Sequence, residues 1–327
     1  MAADGGTKAV VAALLANTGI AVLKFLAFLL TRSSSMLAES VHSVADAGNQ
    51  GLLLLGGKRA KREATPQHPF GFGRERYIYS FIVAIVLFSV GGLFALYEAY
   101  HKYHSIHAGE PNELLEGRWW WVPLAVLTGA IVLESFSFRT AIVEANKVRG
   151  TATWPSFIRR AKSPELPVIL LEDAAALLGL VFALIGVGLT LLTGNAYWDV
   201  VGTTAIGLLL VAVAIVLAIE TKSLLLGEAA TPAAQRKILS ALEGTSGIER
   251  VIHMKTLHLG PEEILVAAKI GVSATSTAQA VADTIDAAEV AVRAAEPMVT
   301  ALYLEPDIYH EDYVPAPRPD RPGAPAH

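Results

Sequence analysis

His42 and Asp46 stand four positions apart in the run MLAESVHSVADAGNQ, residues 36–50, so a helix would stack their side chains on one face. A neutral imidazole nitrogen and a carboxylate oxygen suit a tetrahedral zinc ion, with bonds near about 2 Å. Glu172 and Asp173 supply two more carboxyls from a second apolar stretch. Glu39 lies one turn outward from His42 on the same face and is a candidate pathway residue. A plainer account has His42 and Asp46 pairing with each other or with backbone, fixing only helix packing. Ionisable groups at bilayer depth cost on the order of 2.5–3.5 kcal/mol to insert, so several of them on two segments favour function over packing.

These residues must be positioned by membrane-crossing helices. A span needs about 20 mostly apolar residues. Six segments qualify: 8–31, 36–57, 77–100, 119–143, 166–193 and 197–219. The second and fifth are the weaker of the six because both contain ionisable residues. At about 1.5 Å per residue, Asp46 and Asp173 lie at similar depths, roughly 16 and 15 Å from the cytoplasmic ends of their spans. Two carboxylates at one level repel each other unless a cation lies between them. The short Gly-rich start, residues 1–7, carries no cationic segment leading to a cleavage site, so the first run reads as a retained span.

Cations set the orientation. Lys58, Arg59, Lys61, Arg62, Arg74 and Arg76 collect after the second span, and Lys147, Arg149, Arg159, Arg160 and Lys162 after the fourth. The other links hold Arg32, then Lys102 and Arg118, then none, and the third also carries Glu110, Glu113 and Glu116. Alternate links therefore face the cytoplasm, and both termini with them. Trp119, Trp120 and Trp121 mark an interface before the fourth span. Gly179, Gly186 and Gly188 are expected to let helices approach closely.

After Gly227 the pattern becomes that of a soluble module. Residues 232–243 read as an amphipathic helix bearing Ile238, Leu239 and Leu242. Residues 248–259 and 263–272 read as strands about a Gly260-Pro261 turn, 276–295 as a helix capped by Ser276, and 299–304 as a third strand. The expected fold is thus an α-helical polytopic membrane protein: a six-helix bundle over 1–226, then an α-β-β-α-β open-faced, ferredoxin-like α+β domain over 227–308. A Pro-rich tail over 309–327 reads as disordered.

Composition agrees. The 327 residues are 17% charged with a net charge of −4, and mean hydropathy is +0.46. Soluble domains carry about a quarter charged residues. The near-neutral balance suggests no nucleic-acid partner. The absence of cysteine excludes thiolate zinc sites, disulfides and cysteine nucleophiles. No nucleophile–base pair, phosphate-binding glycine loop or His-Glu-x2-His motif points to an enzyme.

Other polar residues have more ordinary expectations. Glu134, five residues before Arg139, is expected to form a structural ion pair with it. Asn17 and Lys24 read as packing and interfacial groups, and Asp199 as a helix-start residue favoured by the dipole. His101, His104 and His107 read as a solvated loop or helix end, with metal collection as the alternative. Arg74 is expected to pair with an acid near the end of the sixth span, such as Glu228.

At His42, Asp46 and Asp173 the chain resembles the cation diffusion facilitator family of metal/proton antiporters. The resemblance extends to the span count, the terminal α-β-β-α-β domain and the His68-Pro69-Phe70-Gly71-Phe72-Gly73-Arg74-Glu75 loop. Residues 38–50 resemble the branch containing mitochondrial zinc transporters. It implies metal ligands at His42, Asp46 and Asp173. The family's usual fourth ligand, a histidine four residues before the fifth-span aspartate, is here Ile169, and Glu172 is the candidate substitute. The alternative is three protein ligands and water. An oxygen-richer site also suits manganese or iron.

Of the family's loop ligands His68 remains, while Phe72 stands where histidine is frequent. His253 matches a terminal-domain metal position, but Ala268, Tyr303 and Glu305 offer no matching set, so no strong binuclear site is expected there. His258 is an additional nearby candidate, with a surface position the favoured reading. The resemblance implies a secondary transporter with no resident cofactor, exporting zinc against protons as a homodimer; the lack of a targeting segment favours a bacterial-type cytoplasmic membrane over an organelle. Competing readings are a manganese or iron exporter of the same fold, and a non-transporting membrane metal sensor or assembly partner.

Overall fold

The fold is taken from a computed structural model that describes residues 2–31, 34–110, 115 and 118–311; the side chains of 2–5, 31, 34–39, 41 and 42 also lie outside the description. Long helices run over Ala2–Thr31 (α1), Ser34–Ala60 (α2), Trp121–Arg149 (α5), Glu165–Thr193 (α7) and Tyr197–Leu226 (α8). The third span is built from Glu75–Val86 (α3) and Phe94–His107 (α4), joined by a π-helical segment, Leu87–Leu93. A short helix, Trp154–Arg160 (α6), occupies the link before α7. The expected six-helix architecture is the one observed.

Five of these spans, Gly6–Leu30, Glu75–His107, Trp121–Arg149, Glu165–Thr193 and Tyr197–Leu226, are both long and apolar enough to cross a membrane. α2 has the length, 27 residues, but among its described residues it lacks the hydropathy. Its polar groups are the reason: Ser40, Ser43, Asn49 and Gln50 are all buried. They are sheltered by neighbouring helices, where polar groups find partners that lipid cannot give. The outer faces of the other spans expose large apolar side chains, including Leu15, Phe136, Leu192 and Leu208.

α1 packs on α2, α5 and α7; α5 packs on α7; α8 packs on α7, α3 and α4. Small residues set the closest approaches. A Cβ on Gly202 would lie 3.0 Å from the carbonyl oxygen of Phe182 and 3.4 Å from Cα of Gly186, so α7 and α8 meet backbone to backbone there. Gly188 differs from expectation, having nothing within 4 Å of its Cβ position. The π-helical segment abuts α8, where a Cβ on Gly92 would lie 2.6 Å from Cγ2 of Val211.

The link carrying the family loop is compact. Thr65 and His68 form an isolated bridge, and Gly71, at φ +78°, donates its N–H to the His68 carbonyl at 3.0 Å. Such a φ is strained for any side chain, which accounts for glycine at this turn. Arg62 lies over the Phe72 ring, 4.3 Å from its centroid. At the foot of the bundle Arg76 is ion-paired with Glu165, and Lys162 with Glu228. The expected partner of Glu228 was Arg74; Lys162, in the link just before α7, takes that place. Partial burial pushes the Glu228 carboxyl up, but hydrogen bonds from Lys162 and Ser223 outweigh it and hold the group below its ordinary range.

The chain divides into two compact units, one of residues 1–228 with 258–262, the other of 229–257 with 263–327. In the second, Pro232–Glu243 (α9) and Ala278–Ala295 (α10) accompany the strands Arg250–Gly260 (β1), Glu263–Gly271 (β2) and Val299–Asp307 (β3), in sheet order β1-β2-β3. β2 and β3 run parallel, pairing Ala268 with Leu304 and Lys269 with Glu305. A parallel pair needs a crossover, and α10 supplies it. Ile238, Leu242, Ile264, Val266, Ile270, Ala288 and Val292 form its core.

The cap of α10 is Thr277, whose hydroxyl accepts from the Ala280 N–H at 3.2 Å, one residue after the expected Ser276. The tail expected to be disordered lies outside the described residues beyond Glu311, while Tyr309 sits under Arg250 at 4.0 Å.

Candidate functional site

The site is assembled from three helices. On α2, Asp46, Asn49 and Gln50 are spaced i, i+3, i+4 and share a face. Asn49 Nδ2 donates to Glu172 Oε1 at 2.9 Å, and Gln50 Nε2 donates to Glu172 Oε2 at 3.0 Å. Asn17 on α1 backs this clamp, donating to Gln50 Oε1 at 3.2 Å. So Asn17 is a packing residue, as expected, but one that orients a residue touching Glu172. Helices α2 and α7 therefore bring Asn49, Gln50 and Glu172 to one level.

Adjacent residues on a helix point about 100° apart, and Glu172 and Asp173 divide accordingly. Glu172 turns to the amides of α2. Asp173 turns to α5, where Ser137 donates to its Oδ2 at 2.6 Å. Both are buried, at 4% and 1% exposure. Ile169, where the family's histidine would stand, is fully buried among apolar side chains.

Glu134 departs most from the sequence expectation. Five positions carry Arg139 about 140° around the helix from Glu134, and Arg139 is exposed while Glu134 is 1% exposed. Among the described residues no ion pair joins them. Glu134 instead lies within electrostatic range of Asp173, Asp46, Glu172 and Lys24. The signal was in the sequence: Ala130, Glu134, Ser137, Ala141 and Ala145 form one buried stripe at helical spacing. Small residues on a stripe mark a helix–helix face, and Glu134 sits inside it.

The unsatisfied atoms share one chemistry. In α2, α5 and α7 the described buried side-chain atoms without a hydrogen-bond partner are Asn49 Oδ1, both oxygens of Glu134 and Asp173 Oδ1. All are acceptors. Buried acceptors without donors are costly, and cations or protons are what satisfies them. Among the described residues no three His, Asp or Glu side chains converge closely enough to hold one ion. The side chains of His42 and Glu39 lie outside the description; their backbones belong to α2.

The remaining candidates lie elsewhere. His68 is exposed in the α2–α3 link, its ring 4.7 Å from that of Phe72. His253 is exposed on β1. His258, expected at the surface, is 1% exposed, with Nδ1 3.1 Å from the Gly260 carbonyl oxygen and its backbone N–H on the Glu228 carbonyl. His101, His104 and His107 are exposed near the end of α4, each against a tyrosine ring, with Tyr100 and His104 4.4 Å apart. Asp199 starts α8 as expected and also pairs with Lys102 at 3.0 Å.

The family model described as the cation efflux transmembrane domain matches residues 10–226. The proton-coupled zinc antiporter SLC30A9, mitochondrial, of Mus musculus is 33% identical over 269 residues, covering 81% of this chain and 46% of that protein. Metal tolerance protein C4 of Arabidopsis thaliana is 30% identical over 265 residues, covering 80% of this chain and 56% of that protein. Magnetosome protein MamM of Paramagnetospirillum magneticum is 23% identical over 280 residues, covering 84% and 80% respectively. The chain spans about half the length of the first two.

Proposed function

This chain belongs to the cation efflux family, and from that premise we propose that it exports a divalent transition-metal ion, zinc first, from the cytoplasm in exchange for protons. The observation that supports this most directly is the set of buried acceptor oxygens on α2, α5 and α7, which has donors for only some of its atoms.

The proposed ligands are His42, Asp46 and Asp173. Asp173 has one oxygen committed to Ser137 and the other open. Glu172 is the candidate fourth ligand: each of its oxygens accepts one amide hydrogen bond, from Asn49 or Gln50, and keeps a second lone pair for the ion. Metal needs the neutral ring of His42, whose unperturbed pKa near about 6.5 makes proton release on binding possible at physiological pH. The ion enters from the cytoplasm, is held between α2 and α7, and leaves as the bundle rocks outward. Protons returning to the emptied acceptors complete the exchange. The orientation with both termini in the cytoplasm, residence in the cell membrane, the further metal positions at Glu39, His68 and His253, the division at residues 226 and 308, and a homodimer all belong to this proposal.

A second reading, a manganese or iron exporter of the same fold, is favoured by one feature. Ile169 removes a nitrogen ligand and leaves a set dominated by oxygen. Uptake into proteoliposomes under an imposed pH gradient tests both. Zinc uptake should vanish in Asp46→Ala and Asp173→Ala, and unchanged uptake in both would defeat the assignment. Competition by manganese or iron at concentrations far below those of zinc would favour the second reading.

A further inference from the structure

Among the described residues of α2, α5 and α7, Glu134 is the carboxylate with both oxygens buried and neither hydrogen-bonded. From its position we infer that Glu134 is a direct oxygen ligand of the transported ion, contributed by α5 in the place left by Ile169. The inference rests on the proposed transport reading and adds a third helix to the site.

Three observations carry it. Asp46, Glu172 and Asp173, on two different helices, lie within electrostatic range of Glu134, as does the Lys24 cation of α1. Glu134 shares its face with Ser137, one turn on, and Ser137 holds Asp173 at 2.6 Å, so α5 and α7 are registered at that level. The other candidate for the missing ligand, Glu172, already has both oxygens on amide donors. A glutamate placed only for packing would be expected to find a donor, because a buried charge without one is expensive. The described groups form no closed three-residue cluster, so ligation by Glu134 requires the helices to draw in around the ion. A site with oxygen ligands on α2, α5 and α7 would tie the motion of three helices to occupancy by the ion.

The test uses the purified full chain in detergent, with zinc binding measured at equilibrium and cobalt as an absorbing stand-in. Glu134→Gln is expected to weaken zinc binding by about tenfold or more and to alter the visible cobalt spectrum, which reports the ligand set. Arg139→Gln, on the opposite side of α5, should change neither. Normal zinc binding by Glu134→Gln would overturn the inference. Weaker binding with an unchanged cobalt spectrum would also overturn it, since that result means a distant charge and not a ligand. If Glu134→Gln does not yield monodisperse protein, Glu134→Asp serves with the same two outcomes of the cobalt spectrum. Asp46→Asn and Asp173→Asn separate the two ideas. Should they weaken binding while Glu134→Gln does not, only the role of Glu134 falls; should they too bind normally, the transport site itself is misplaced.

Discussion

Ser137 on α5 donates a 2.6 Å hydrogen bond to Oδ2 of Asp173 on α7, while Oδ1 of the same carboxylate has no partner. One oxygen is thus fixed and the other offered. A bond to a carboxylate contributes about 1.5–3 kcal/mol, enough to hold a ligand in orientation before the ion arrives. Ser137→Ala should therefore lower zinc affinity and uptake by about tenfold, short of the complete loss expected for Asp173→Ala. Equal uptake by Ser137→Ala and the parent protein would remove the positioning role.

The amide clamp on Glu172 makes a different prediction. Glu172→Gln keeps the side chain's shape but replaces one acceptor oxygen with a donor amide facing Asn49 or Gln50. If Glu172 is held for structure, this variant should lose about 1–3 kcal/mol of stability and keep zinc binding. If it is also a ligand, zinc binding falls in addition to the loss of stability. Thermal unfolding in detergent, paired with equilibrium zinc binding, separates the two.

The contact between the π-helical segment and α8 admits no extra carbon. Gly92→Ala would place a Cβ 2.6 Å from Val211 Cγ2 and 3.1 Å from the Val211 backbone nitrogen. Overpacking of this kind costs about 1–3 kcal/mol, and backbone cannot move aside as a side chain can. A lowered thermal midpoint is expected for Gly92→Ala. Gly188→Ala, with nothing within 4 Å of its Cβ position, should have almost no effect.

Acid should loosen the end of β3. Asp307 pairs with Lys269 at 2.8 Å, and the hydrogen bond from Lys269 holds its carboxyl below the ordinary range. A carboxyl depressed in the folded state stabilises above its unfolded pKa, about 3.9, and that contribution is lost as pH falls through the lower folded value. Asp307→Asn should therefore lower the midpoint of the terminal unit at neutral pH. The difference from the parent protein should vanish under strongly acidic conditions. A difference that persists there would mean the pair is not its source.

The depth argument puts Asp46 and Asp173 at a common level, and the bonds from Asn49 and Gln50 to Glu172 show polar side chains of α2 and α7 reaching each other. The elements of the terminal unit were equally legible, because Thr, Pro and Gly punctuate alternating or helical patterns that leave little choice. Side-chain partners were harder to read. Glu134 was assigned to Arg139 by proximity in sequence, yet five residues put the two on different sides of α5. Glu228 was assigned to Arg74, but Lys162 reaches it first. His258 was expected in solvent and lies buried.

The sequence by itself determined five apolar spans, the alternation of charge between the links and the polar residues on α2 and α7, because hydropathy and helical spacing are local properties of the chain. Tertiary structure alone decided which oxygens are already bonded and which remain open. That depends on donors brought from other helices, Asn17, Asn49, Gln50 and Ser137, at separations in sequence that no periodicity encodes.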